Sequence, residues 1–448
     1  MAPWVHGPEL TQFLRRAGVR DVECLFPDVT GYPRGKLMPA ASFASGHELR
    51  ICQAIPMQCV TGDYSYDPIF PDRDPDVRLV PDLSTLRPVP WSSVPRYMAV
   101  HDCVELSGEL CPFAPRSVLK SVVARYQALG LNPVVAPEIE FYLIEAHTDP
   151  TQPLVAPRGR GGRAEVGQSA FSMNMLNELA PFWDEFHAAL DTLGIRSDTW
   201  IHEVGLSQYE INLLHGDPVA AADQAFLFKY AAKEVALRHG LNAVFMAKPI
   251  ADQAGSSMHL HQSVEDRAGR NIFSQPDGSA SELFFHYIGG LQAYTADLML
   301  VYAPTVNAYR RYVTGSQAPI NLQWGHDNRT AGLRVPISSP TARRVENRLA
   351  GADANPYLAM AATLAAGLAG IEEQRQPTDP LADNAYHRER ELPRTFEAAH
   401  QAMAQSPHAL RLLGAEAVRA YLAVKALEHD SYLAEISAWE RRFLLPQV

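Results

Sequence analysis

With 448 residues and 47% hydrophobic composition, the chain can bury a large core and is long enough for two or three domains. Its net charge of −11, without any Lys/Arg-rich run, leaves no electrostatic footprint for nucleic acid or an anionic membrane surface, so a small-molecule substrate is the default. Five cysteines, an odd number with no CxxC spacing, argue against a disulfide framework or a zinc site and for reduced thiols in a cytoplasmic protein.

The first residues carry neither a basic n-region nor an apolar h-region, so no signal peptide is expected. Residues 19–102 are dense in Pro, Gly and Asp, with strand-like pieces at 22–26 and 77–80, which predicts a small β-rich domain. The texture changes at Pro115, where Val118, Leu119, Val122, Val123 and Tyr126 recur at helical spacing and Gly130 follows as a cap. A second, α/β domain therefore begins near residue 105.

A strand is predicted over 134–144, then a Pro/Gly/Arg-rich loop over 153–163, too polar for the core and read as a mobile loop near a site. Further strand-like segments cover 208–212 and 255–263, and helices are predicted over 226–239 and 284–302. Asn355 as N-cap and Pro356 at the first helical position announce a buried helix whose apolar run, 357–371, falls short of the roughly 20 residues that span a membrane. After Gln374 the tail is charged and helical, beginning with a loop.

The polar residues of the strand-like segments carry the chemistry. The two-residue period of a strand puts Glu138 and Glu140 on one face, with Ile139, Phe141 and Leu143 on the other. Two adjacent carboxylates are tolerated beside apolar neighbours if a cation neutralises them or if their face is wet; alone, this pattern reads sooner as a half-exposed sheet than as a metal site. The pattern recurs, however. Gln208, Glu210 and Asn212 share a face, with Glu203 across a short turn; His259, His261 and Ser263 share another; Arg344 and Arg348 bracket Glu346. Five glutamates and a histidine form an oxygen-rich set suited to Mg²⁺ or Mn²⁺ rather than zinc. Such ions bridge phosphate oxygens, and the nearby arginines then serve as clamps for phosphates and carboxylates. Because no Walker-type or kinase-type glycine loop is present, phosphoryl transfer would rest on metals and arginine.

These segments, with Phe26-Pro-Asp28, Gly35-Lys36, Pro81-Asp82, Phe245-Met-Ala-Lys248-Pro249, Asn307-Ala-Tyr-Arg-Arg311, Asn328-Arg329-Thr and Arg334-Val-Pro, occur in the order of the glutamine synthetase superfamily, which the chain resembles over essentially its whole length. The resemblance implies an α+β fold: an N-terminal β-grasp domain over 1–105 and, over 106–448, a glutamine synthetase/guanido kinase-like catalytic domain with an antiparallel sheet and flanking helices. It implies two or more Mg²⁺ or Mn²⁺ ions per site, one held by Glu140, Glu203 and Glu210 and another by Glu138, His259 and Glu346. ATP would meet His261, Ser263, Arg334 and Arg344, with Arg329 near the transferred phosphate. Glutamate would lie against Gly255 with Arg311 and Arg348 on its carboxylates. Members assemble as stacked rings, so a homo-oligomer, a dodecamer of two hexamers, is expected, with Asp28 entering the site of the next subunit.

Departures from the ammonia-using pattern concern the second substrate. Gln317 stands where those members carry a Glu that closes the site; a neutral amide neither accepts the amine's proton nor pairs with a small cation. Phe171 aligns with a tyrosine lining the ammonium pocket, and Ala254-Gly-Ser-Ser257 replaces Asn-Gly-Ser-Gly. A less charged, more apolar pocket favours an amine with a carbon substituent. Segments 57–64, 285–292 and 351–357 resemble the γ-glutamylpolyamine synthetase branch. The expected activity is ATP-dependent ligation of a polyamine or monoamine to the γ-carboxylate of glutamate through γ-glutamyl phosphate, with Glu203 or the neighbour's Asp28 as proton acceptor. The alternatives are an ordinary glutamine synthetase and a non-catalytic ring, the latter disfavoured because all six ligand positions are filled.

Overall fold

The structure is a computed structural model that describes residues 5–65, 73–146, 149 and 151–448; residues 1–4, 66–72, 147, 148 and 150 lie outside the described residues. The first sheet is built from β1 (Asp21–Pro27), β2 (Pro33–Pro39), β3 (Leu49–Cys52), β4 (Asp76–Pro81), β5 (Arg87–Pro88) and β6 (Arg96–Val104), in the order β2-β1-β6-β4-β3 with β5 on β6. One parallel pair, β1/β6, sits among antiparallel neighbours. The predicted strands at 22–26 and 77–80 are β1 and β4.

The second sheet holds β7 (Leu131–Glu145), β8 (Ser197–His202), β9 (Gln208–Leu213), β10 (Leu241–Val244), β11 (Met258–Asp266), β12 (Trp324–His326), β13 (Leu333–Val335) and β14 (Val345–Asn347). Its order is β12-β13-β14-β11-β7-β9-β8, antiparallel except for β12/β13, and β10 pairs with the far half of β7. The fold is α+β, as the resemblance implied. The fifteen-residue β7 pairs with β11 on one side and with β9 on the other, so its polar face is the centre of a broad platform.

Its opposite face is apolar. Ile139, Phe141 and Leu143 are fully buried, and Phe141 stacks on Phe245 and meets Phe228 edge-on. Each such ring stabilises the fold by about 1.5–3 kcal/mol through burial. Behind them lie helices Pro115–Ala128, Pro218–Arg238, Glu282–Tyr294 and Pro356–Glu372. The last is buried nearly all round; Asn355 caps it by accepting from the backbone N–H groups of Tyr357 and Leu358 at 3.0 and 3.3 Å. It meets Glu282–Tyr294 so closely that a Cβ on Gly290 would stand 2.3 Å from the Ala366 carbonyl, so the crossing needs glycine there.

Two helix predictions change. The helix expected from 226 begins at Pro218, because Asp217 accepts from Val219 and Ala220 N–H and proline follows it. The helix expected over 284–302 is two, Glu282–Tyr294 and Met299–Tyr302; the chain turns between them, where Asp297 accepts a 2.6 Å bond from Ser406 Oγ. The five cysteines are free, and among the described residues no helix is long and apolar enough to cross a membrane.

Candidate active site

Strand register assembles the site. Glu138 on β7 lies opposite His259 of β11 and Asn212 of β9, and Glu140 lies opposite Glu210. On the other side of β11, His261 pairs with Glu346 of β14, which pairs in turn with Arg334 of β13. Five strands thus bring polar residues onto one surface; alternation gave the faces of β7, β9 and β11, and the pairing brings those faces together.

The resulting contacts are short. His259 Nδ1 lies 2.9 Å from Glu138 Oε1 and 3.6 Å from Glu346 Oε1, while His261 Nε2 lies 3.2 Å from Glu138 Oε2. Arg334 and Arg348 donate to Glu346 at 2.8 and 2.7 Å, and Ser257 donates to Glu140 from both its backbone N–H, at 2.9 Å, and its hydroxyl, at 2.7 Å. Ligand atoms of Glu138, His259 and Glu346 fall within 4.8 Å of one another, and so do those of Glu140, Glu210 and His259. The first trio is the one expected. In the second, His259 takes the place expected for Glu203, which lines the same cavity but stands outside the tight cluster.

Electrostatics divides these carboxylates. Burial, and then the charges of Glu138, Glu140 and Glu203, push Glu210 up to about 11. Burial and then Glu140 raise Glu203 to about 7. Glu346 is fully buried, yet Arg348 with His261 and His259 outweighs that burial and holds it at about 2. Against its own burial, Glu138 is kept well below the ordinary carboxylate range by its bonds to the two histidines. A buried group of acids in which one member must hold a proton is a poorly compensated charge cluster, and its oxygen-rich donors with one imidazole fit hard divalent cations.

Two cavities meet at this platform. One, of about 280 Å³, is lined by Glu138, Glu140, Glu203, Glu210 and His259 together with Gly255, Arg311, Gln317, Arg329 and Arg348. The other, of about 380 Å³, is lined by Glu138, Asn212, His261, Ser263 and Arg344. Glu138 walls both. In the first cavity the buried Nε atoms of Arg311 and Arg348 have no hydrogen-bond partner, which suits a bound carboxylate. Gly255 is pressed against Arg311: a Cβ there would stand 2.6 Å from the Arg311 side chain and 2.8 Å from the Ala247 carbonyl.

Other expected residues fall elsewhere. Arg334 lines neither cavity and is tied to Glu346 and, at 2.6 Å, to Asp327. Asp28, expected to enter a neighbouring subunit's site, is turned into its own chain: its buried carboxylate accepts from Thr30 N and Oγ1, Tyr32 N and Arg34 Nε, all within 2.9 Å. Three of these bonds fall on Oδ1 and one on Oδ2. Phe171 is 71% exposed and does not line the cavity. Gln168, Lys248 and Gln253 do line it, although the sequence reading gave them no role. Ser257 was legible: extending the alternation of 259, 261 and 263 back by one period places it on the ligand face.

Comparison with known proteins agrees with this geometry. A glutamate–isopropylamine ligase from a Pseudomonas species is 36% identical over 373 residues, covering 82% of this chain and 80% of the relative. Glutamine synthetase from Pyrococcus abyssi is 33% identical over 93% of this chain and 92% of its own length. A solved GmaS/ADP complex superposes with a TM-score of 0.84 at 31% identity, covering 98% of this chain and 99% of that one. Residues 112–444 match the family described as glutamine synthetase, catalytic domain, and with the carboxylate platform in place the chain belongs to the glutamine synthetase family.

Proposed function

We propose that this protein is an ATP-dependent glutamate–amine ligase whose acceptor is an amine with a carbon substituent rather than ammonia. The observation that carries the reading is one cavity in which a metal-competent carboxylate cluster, two arginines with unpaired buried Nε atoms and a neutral Gln317 face one another. Similarity to a glutamate–isopropylamine ligase supports it.

On this reading Arg311 and Arg348 hold the carboxylates of glutamate, with Gly255 leaving room for the chain between them. His261, Ser263 and Arg344 receive ATP from the second cavity, and Arg329 lies toward the transferred phosphate. Mg²⁺ or Mn²⁺ held by Glu138, His259 and Glu346, and by Glu140, Glu210 and Glu203, would neutralise charge on the phosphate oxygens. A γ-carboxylate oxygen attacks the γ-phosphorus, forming γ-glutamyl phosphate and releasing ADP. The amine nitrogen attacks the acyl carbon, inorganic phosphate departs, and Glu203, which lines the same cavity as Gln317 and Arg329, accepts the amine's proton. Gln317 leaves the acceptor end without a second anion, which favours a neutral, carbon-bearing amine.

ADP release measured with glutamate, Mg²⁺ and a panel of alkylamines, polyamines and ammonia tests the proposal. Turnover with substituted amines exceeding that with ammonia is expected; turnover with ammonia alone would discard it. Ammonia as acceptor is the second reading, favoured by the similarity to a glutamine synthetase over most of both chains. Assembly as two stacked hexamers in the cytoplasm, and division into domains at residues 105/106, are part of the same proposal; sedimentation velocity tests the assembly.

A further inference from the structure

The loop after β7 is attached to the site twice, and both attachments converge on His202. Glu165 reaches the buried imidazole, with Oε2 3.1 Å from His202 Nε2, and the same oxygen accepts from Ser207 N–H at 2.7 Å. Six residues later, the Phe171 N–H donates to the His202 carbonyl at 2.8 Å. The other imidazole nitrogen, Nδ1, lies 2.8 Å from the carbonyl of Glu203. His202 therefore joins the loop to the turn Glu203–Gln208, which carries a cavity carboxylate at one end. Between the two attachments the chain forms an arch, and Gln168 near its middle lines the cavity beside Glu203 and Gln317.

Glu165 is the unusual member. Its side chain is only 8% exposed on an otherwise exposed arch, where Val166 is 94% and Phe171 71% exposed, and its second oxygen, Oε1, is buried without a partner. Burying a carboxylate so incompletely satisfied is costly, and the return is a fixed distance between the arch and the turn.

We propose that Glu165 is a positioning residue that, through His202 and Ser207, holds the arch carrying Gln168 over Glu203 and thereby sets which amine enters. The inference rests on the amine-ligase reading given above, but its structural half stands independently. Glu165→Ala removes the latch, whereas Glu165→Gln keeps an oxygen for the Ser207 N–H.

The expected result is a KM for the amine raised roughly tenfold in Glu165→Ala and less in Glu165→Gln, with the KM values for glutamate and ATP unchanged. Gln168→Ala, which leaves the latch intact, should raise the amine KM alone. Amide hydrogen exchange at Ser207 should quicken in Glu165→Ala and stay slow in Glu165→Gln. An unchanged amine KM in both Glu165 variants, or all three KM values rising together, would overturn the proposal. If the unaltered enzyme turned over no amine, the ligase reading would fall, and Ser207 exchange would still decide whether Glu165 is the latch; unaltered exchange in Glu165→Ala would reject it. Should Glu165→Ala fail to fold, Glu165→Gln and Gln168→Ala decide the matter by the amine KM.

Discussion

Glu138 and His259 face each other across neighbouring strands with Oε1 and Nδ1 2.9 Å apart, and this pair sits where both groups of metal-competent atoms and both cavities come together. Replacing Glu138 with Gln keeps shape and removes charge. It should lower kcat by roughly a hundredfold or more, the scale expected when a metal's charge stabilisation loses a ligand, while the fold survives. Steady-state kinetics with circular dichroism on the same sample checks it.

Metal binding should release protons. Glu210, pushed up to about 11, holds a proton at neutral pH in the metal-free chain, and Glu203, raised to about 7, holds one below neutrality. A cation displaces both, so affinity for Mg²⁺ or Mn²⁺ should rise with pH, and more protons should be released at pH 6 than at pH 8. Titration calorimetry in buffers of different ionisation enthalpy measures the number directly.

Gly255→Ala should raise the KM for glutamate roughly tenfold with a smaller effect on the KM for ATP. The added methyl group would meet Arg311 and the Ala247 carbonyl, and a carbonyl on the main chain yields less readily than a side chain. Initial rates at varied glutamate and at varied ATP separate the two.

Gln317→Glu should shift preference toward ammonia, by roughly tenfold in the ratio of kcat/KM for ammonia to that for an alkylamine. The substitution places a second anion at the acceptor end of the cavity. A ratio that stays constant would remove Gln317 from the account of specificity.

Stability should fall in mild acid through a residue far from the chemistry. His101 is held by burial at about 4, below its ordinary 6.5, and its Nδ1 donates to the Ala99 carbonyl at 2.9 Å. A depressed histidine contributes its stability fully above the unfolded value and loses it as pH falls toward the folded one, so the loss spans about pH 6.5 to 4. The contribution is about 3 kcal/mol, and the difference between the unaltered chain and His101→Gln in urea denaturation across that window should report it.

The sequence revealed faces better than partners. Alternation alone placed Glu138 with Glu140, Gln208 with Glu210 and Asn212, and His259 with His261, because a strand's period is local. It could not reveal that β7 lies between β11 and β9, since that pairing joins residues more than 60 and 110 positions apart. That pairing is what sets His259 within reach of both Glu138 with Glu346 and Glu140 with Glu210. For Asp28 the sequence could not show the local turn in which Thr30, Tyr32 and Arg34 bond its carboxylate. The extended start of the helix at Pro218 was legible in Asp217-Pro218, whereas the turn after Tyr294 carries no Gly or Pro to mark it and is closed by local bonds such as Leu298 N–H to the Thr295 carbonyl.

One carboxylate, that of Glu138, borders both chambers, so a ligand filling either one meets the same side chain. A compound joining a phosphate-bearing head to an amino-acid tail across that side chain would engage both sides at once, its second contact made at high effective concentration.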